Sequence, residues 1–542
     1  MYNTKKYLCH KFLTMQKGLL FICALVSVFW GFSQANQDYN EFESCTSIMV
    51  GKKASADGSV MTSHTCDGGY RTWMRMEPSV EYKNDTVIAI YKGILKTETP
   101  TDGRGVSKMG EIFQPAMKTY AFLNTAYPCL NEKQLAIGET TFSGLPELRN
   151  PDGLFYIEEL QRIALQRCAT AREAITLMGE LVKEYGYADA GECLTIADKN
   201  EVWHFEILGQ GKDKIGAVWA AQRIPDDHVG ISANISRIGV IDFNNKDYFM
   251  ASENVKEVAK ELGYWDGVEE FKFYKAYNKV GHKPFAIREY FILSTLAPSL
   301  QLKYEADELP FSVKPEKKVS VRDVMRLYRE TYEDTEWDMT KNLLVDKKIN
   351  DTITEKVKSN YANPWMTGDM IKMINSIDSG NVTFQRTVAV AWCSYSFIVQ
   401  LRDWLPDEVG GVAWFALDNP GESPRFPIFC GTTQLPDLFN ACGQYRFRTD
   451  AALWWYRRAN RLATVKWQTA RKTIEENIIY FEDKAFEELP VLEEKVKQAI
   501  LKGDRKLAAK LATDYTNDFT RATLQKWWEL GDMFWGMFGR SF

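Results

Sequence analysis

Three groups of short β-prone runs, set far apart along the chain with helical stretches among them, constrain the fold most. Residues 45–65 read as strand, turn and strand: Thr46 to Val50, the turn signal Ala56-Asp57-Gly58-Ser59, then Val60 to Thr62. That turn is expected to bring Asp67 back towards Cys45. Tyr120 to Asn124, Leu135 to Thr141, Ala190 to Leu208 and Ala217 to Ile241 form a second group. Thr383 to Val390, Tyr395 to Leu401 and Gly411 to Leu417 form a third. Helical spacing is expected over Asp152 to Gly186, in segments of a mixed stretch around 254–380, and from Ala451 to Met537. Strands at both ends of the chain, with helices between and after them, predict stacked sheets flanked by helices, a layered α+β architecture. With 45% hydrophobic residues among 542, the chain can bury a large core.

The first 44 residues read as processing segments. Lys5, Lys6, Lys11 and Lys17 precede the apolar run Gly18 to Phe32, and Ser33-Gln34-Ala35 offers small residues for cleavage. This pattern predicts a signal peptide over 1–35 and a secreted or periplasmic protein. The run is short for a membrane span, which needs about 20 apolar residues. Residues 36–44 (NQDYNEFES) then read as a short acidic propeptide, because bulky Phe42 would block signal peptidase from cutting before Cys45. Self-cleavage between Ser44 and Cys45 is the expected route. It leaves one residue carrying a thiol and an α-amine, nucleophile and base together. The amine titrates near pH ~7.7–8 and can take the thiol proton near neutrality.

Other chemistries find no support. A formal charge of −5 with no basic block argues against nucleic acid. Motifs such as HExxH, GxxxxGK[ST], GxSxG and the dinucleotide glycine fingerprint are missing. The histidines lack metal-site spacing, so neither metal nor cofactor is expected. Eight scattered cysteines follow residue 44 without a CxxC pair, so no dense disulfide framework is expected.

The run Cys45-Thr46-Ser47-Ile48-Met49-Val50-Gly51, continuing to Ser59, resembles the mature start of dipeptidases of peptidase family C69. So do Ala136 to Thr141, Trp219 to His228 with Ser232-Ala233-Asn234, Gln400 to Pro406, and Lys526 to Asp532. These motifs spread over most of the chain after Ser44. The family is related to penicillin V acylase and bile salt hydrolase, among the N-terminal nucleophile hydrolases. The resemblance implies a four-layer αββα sandwich over 45–450, with a helical insertion around 254–380 and a helical region over 451–542. It implies hydrolysis of dipeptides or short peptides, with homo-oligomerisation left open.

Roles follow from that resemblance. Cys45 would be the nucleophile, Asp67 the holder of its α-amine, and Asn234 an oxyanion donor. Arg386 matches a late active-site arginine. Glu139 would bind a substrate ammonium. His64 stands where many relatives carry arginine, and would meet the substrate with a charge that titrates near pH ~6.5. Two rivals are an amidase for bile-salt or penicillin V type acyl amides, and a non-catalytic binding protein resembling secernin.

Overall fold

The strand Val60–Asp67 is buried at all eight positions although five of its residues are polar or charged. It is central, so both its faces are covered, and the hydroxyls of Thr62, Ser63 and Thr65 find hydrogen-bond partners inside the protein. The computed structural model describes residues 44–278 and 283–539. The expected signal peptide, the propeptide up to Glu43, and His282 lie outside them.

Among the described residues a seven-stranded antiparallel sheet holds Val60–Asp67. Its order is Ser312–Val313, Val229–Ser232, Ser47–Val50, Val60–Asp67, Cys393–Leu401, Gly411–Leu417 and Phe426–Phe429. An eight-stranded sheet runs Phe249–Ala251, Ala217–Arg223, Val202–Gly209, Gly191–Ala197, Ala136–Ser143, Leu130–Asn131, Phe122–Asn124 and Arg75–Glu77. The architecture is thus α+β with several antiparallel sheets, and strands from both ends of the chain share one sheet.

Local chemistry makes the first hairpin. Asp57 Oδ1 accepts from the Ser55 hydroxyl at 2.8 Å and the Ser59 N–H at 3.0 Å, and Gly58 takes φ +85°. An Asx turn followed by a left-handed residue closes the chain on itself. The strands then pair Val50 with Met61, and Ser44 N–H donates to the Asp67 carbonyl at 3.1 Å.

The two sheets touch through small polar side chains. Thr62 Oγ1 donates to the Thr195 carbonyl at 3.0 Å, and the Thr140 and Ser232 hydroxyls are 2.5 Å apart. Gly138 sits at this contact, where a Cβ would meet the Ser63 carbonyl oxygen at 2.3 Å. Only glycine allows that approach.

Helices Ile157–Arg167 and Ala171–Tyr185 pack on the eight-stranded sheet. Thr170 caps the second of them, accepting from Glu173 N–H. Helices Ala452–Ala463, Trp467–Leu501 and Arg505–Phe538 pack on one another, the two long ones also on Phe426–Phe429. The mixed stretch around 254–380 holds several short helices and the exposed hairpin Leu344–Lys348 with Thr354–Lys358. The strand expected over Thr383–Val390 is instead irregular. Its backbone turns away from the ladder, with Val388 and Ala389 N–H both bonded to the Glu330 carbonyl.

Candidate active site

Cys45 lies two residues before the strand Ser47–Val50 and is 1% exposed. Its backbone N–H donates to Asn234 Oδ1 at 2.8 Å, and its Sγ donates to Glu139 Oε2 at 3.7 Å. Burial, with Glu139, Cys66 and Asp67 nearby, pushes the thiol well above its usual range. The sulfur is therefore a thiol at rest and needs a base.

Asn234 reaches Cys45 by sheet register. Ser47 pairs with Ser232, so the residues just past that pair meet at the strand ends. Asn234 has φ +67°, a left-handed conformation that asparagine tolerates better than most residues. Its Nδ2 donates to the Thr141 carbonyl at 2.7 Å. The NH₂ expected to meet an oxyanion is thus turned to Thr141 in this state, and the amide oxygen faces Cys45.

Asp67 ends the central strand. Its Oδ2 accepts from Thr65 Oγ1 at 2.9 Å and from Arg386 at 2.6 Å. Arg386 also donates to the Ser44 carbonyl at 3.1 Å and the Ser44 hydroxyl at 2.9 Å. The irregular backbone over 383–390 lets this side chain reach the end of the neighbouring strand.

Glu139 is fully buried in Ala136–Ser143, and its Oε1 accepts from Thr141 Oγ1 at 3.0 Å. Thr141 pairs with Glu192 across the ladder, so Glu139 and Glu192 share one face as diagonal neighbours. The two carboxyls act on each other, and half-buried Asp189 adds to the repulsion. Burial pushes Glu139 up to about 7, and Glu192 well above the carboxylate range. A carboxyl pair without water to solvate two charges holds a proton between its members.

His64 lies among Tyr127, Tyr395 and Phe397, with ring centroids 5.4–5.9 Å away. Its Nδ1 is 2.5 Å from the Glu139 carbonyl oxygen. Burial pushes its pKa down to about 3, so the ring is neutral and does not titrate near pH ~6.5. It orders the Glu139 backbone and brings no positive charge.

Sequence reasoning missed Arg288. It lies on helix Ile287–Leu296 and is buried at 4% exposure. Its guanidinium donates to the Cys45 carbonyl at 2.5 Å, Thr46 Oγ1 at 2.9 Å, the Ala233 carbonyl at 3.0 Å and Asn234 Oδ1 at 3.0 Å. One arginine thereby ties the Cys45 strand to the Asn234 loop. A faint signal existed: Arg288, Ile292 and Leu296 follow i, i+4, i+8 spacing, which puts a charge on an apolar stripe.

Among the described residues two sets of side chains have metal-ligand types within 4.8 Å: Cys45 with His64 and Glu139, and Cys193 with His204 and Glu206. The first includes the candidate nucleophile. In the second, Glu206 accepts from Arg237 N–H at 2.6 Å, Ile238 N–H at 3.0 Å and the Ser236 hydroxyl. Glu206 thus clasps the loop that follows Asn234. All eight cysteines after Ser44 are free and buried.

The site therefore brings together all the expected residues: Ser44, Cys45, His64, Asp67, Glu139, Asn234 and Arg386. Comparison with known proteins bears on the family of the chain. The profile of peptidase family C69 matches residues 44–479. A protein of Latilactobacillus sakei named a probable dipeptidase is 28% identical, covering 74% of this chain and 77% of its own. A probable dipeptidase B of Lactococcus lactis subsp. lactis (strain IL1403) is 25% identical, covering 74% and 78%. Dipeptidase A of Lactobacillus helveticus is 22% identical over the same shares.

Proposed function

The chain belongs to peptidase family C69, and from that premise we propose that it is a cysteine dipeptidase whose nucleophile, Cys45, is exposed by self-cleavage after Ser44. The observation that carries the reading is the double hold on Cys45: its nitrogen on Asn234 and its thiol on Glu139. The reading includes secretion or periplasmic export. It also takes the two sheets and their helices as the four-layer αββα sandwich of N-terminal nucleophile hydrolases. The Thr62–Thr195 and Thr140–Ser232 contacts between sheets support that arrangement.

After cleavage the Cys45 nitrogen is an α-amine, able to take the thiol proton near neutral pH. The thiolate attacks the carbonyl of the dipeptide's first residue. The α-ammonium returns the proton to the leaving amine, and water then hydrolyses the thioester. Arg288 lies beside Cys45 to oppose charge on the developing oxyanion, and Asn234 joins it once its amide turns the NH₂ from Thr141 towards the site. Asp67, linked through Arg386 to Ser44, is the carboxylate assigned to the new α-ammonium.

The substrate class follows from Glu139. A dipeptide's ammonium nitrogen is two bonds from the carbonyl carbon under attack. A carboxylate 3.7 Å from the attacking sulfur is therefore well placed to take it. Glu192 behind Glu139 shares a proton with it, so the pair offers a single negative charge to the ammonium. Such a lining disfavours the large apolar acyl groups of the amidase reading, whose desolvated carboxylates would gain no partner.

Intact mass and N-terminal sequencing of the native protein and Cys45→Ala test the nucleophile, and hydrolysis of a dipeptide beside its N-acetyl form tests the substrate. The reading expects a native chain beginning at Cys45, a variant that keeps its leader, and hydrolysis of the free dipeptide alone. A native chain that keeps Ser44 and lacks activity would sink it and favour the binding-protein reading.

A further inference from the structure

Self-cleavage poses a problem that dipeptide hydrolysis does not. While Ser44 is attached, the Cys45 nitrogen is an amide and cannot serve as a base. Its hydrogen is committed to Asn234 Oδ1. The buried thiol must lose its proton to some other group.

Two side chains fit that earlier task. Among the described residues, the carboxylate hydrogen-bonded to the Cys45 thiol is Glu139, at 3.7 Å. Asp67 is engaged by Thr65 and Arg386, and His64, whose pKa burial pushes down to about 3, is a poor proton acceptor with Nδ1 on the Glu139 backbone. The carbonyl that would be attacked, that of Ser44, accepts from Arg386 at 3.1 Å. Arg386 is pinned there by its bonds to the Ser44 hydroxyl and to Asp67. Arg288 instead grips the next carbonyl, that of Cys45. The two arginines thus sit on consecutive peptide groups and divide the work.

We propose that Glu139 and Arg386 cut the Ser44–Cys45 bond, Glu139 as the base for the Cys45 thiol and Arg386 as the donor to the Ser44 oxyanion. This rests on the self-cleavage reading above. Sγ bonds to the Ser44 carbonyl carbon through a five-membered ring, while its proton passes to Glu139. The carbonyl electron pair moves onto oxygen, opposite Arg386. Collapse breaks the C–N bond, and the Glu139 proton goes to the departing Cys45 nitrogen. The product is a thioester with a free α-amine. One water then hydrolyses it, releasing a peptide that ends in the Ser44 carboxylate and restoring the thiol. Nothing is oxidised or reduced. Glu139 is then released to meet a substrate ammonium, and the new α-amine takes over as base.

The experiment follows the intact mass of the full chain over time for the native protein, Glu139→Gln, Glu139→Ala with and without formate, Arg386→Gln and Arg386→Lys. Cleavage is expected to slow by about 100-fold or more in Glu139→Gln, in line with loss of a general base. Formate is expected to restore cleavage to Glu139→Ala, an effect that a merely structural carboxylate would not show. Arg386→Gln should slow cleavage about 100-fold, and Arg386→Lys, which keeps the charge, should slow it less. Arg386 is partly exposed, with 16% side-chain exposure, so its variants test the proposal even where a Glu139 variant misfolds. Native-rate cleavage of Glu139→Gln or Arg386→Gln overturns the proposal, as does folded Glu139→Ala that formate fails to rescue. A native chain that keeps Ser44, or a Cys45→Ala chain still cut there, overturns the self-cleavage reading itself.

Discussion

Asn234 Oδ1 accepts the backbone N–H of Cys45 at 2.8 Å, joining residues 189 positions apart. The bond fixes the nitrogen that is first a leaving group and then, on the reading above, the base. Its geometry depends on a left-handed backbone at Asn234 and on the Glu206 clasp just beyond it.

Asn234→Ala removes an acceptor for Cys45 N–H and Arg288 and a donor to Thr141. In a chain already begun at Cys45, kcat/KM for a dipeptide should fall by about 100-fold or more, the usual scale for losing an oxyanion-site amide. Steady-state kinetics check this.

Arg288→Lys keeps a charge but loses the planar fork that serves four acceptors. Several buried oxygens are left unpaired, at about 1–3 kcal/mol each before relaxation. Urea denaturation should show a loss of about 2–4 kcal/mol, with a matching fall in activity.

Burial raises the folded-state pKa of Glu139 to about 7, above its ordinary 4.5. Between those values the unfolded chain has lost the proton while the folded chain keeps it. The Glu139 contribution to stability should therefore fall as pH rises from about 4.5 to about 7, and level off above. Glu192, Asp189 and Glu158 face the same region and push in the same direction. Glu139→Gln should flatten this slope in denaturation curves taken across that range.

His64 is held neutral down to about pH 3. His64→Gln should leave the shape of the pH–rate profile between pH ~5.5 and ~7.5 unchanged. Its folded pKa lies below the unfolded one, so the native ring costs stability as pH falls from about 6.5 towards 3. The variant should lose less stability over that acid range, measured by thermal melts.

Gly138→Ala would drive a methyl into the Ser63 carbonyl, 2.3 Å from the ideal Cβ position. The obstacle is backbone, so the sheets must separate. A loss of about 2–3 kcal/mol or more is expected from overpacking of this kind, read as a lower Tm.

Much of the site was legible because its residues sit in local motifs. Cys45 follows a leader-like segment, Asp67 ends a strand returned by an Asp-Gly turn, and Glu139 and Asn234 lie in runs shared with a known family. Strand positions were readable where alternation or turn chemistry marks them. The misplaced strand over Thr383–Val390 has β-prone residues, yet tertiary bonds to Glu330 and Ser44 claim its groups.

By itself the sequence singled out Cys45 as the candidate nucleophile and determined the order of the motifs and an α+β chain, because those rest on residue type and short-range spacing. Only the tertiary structure decided that Arg288 clamps Cys45, that Glu139 faces the thiol, and that His64 is uncharged. Each of those depends on burial and on contacts across 75 residues or more. Desolvation and long-range register set them, and neither is written in any local run of residues.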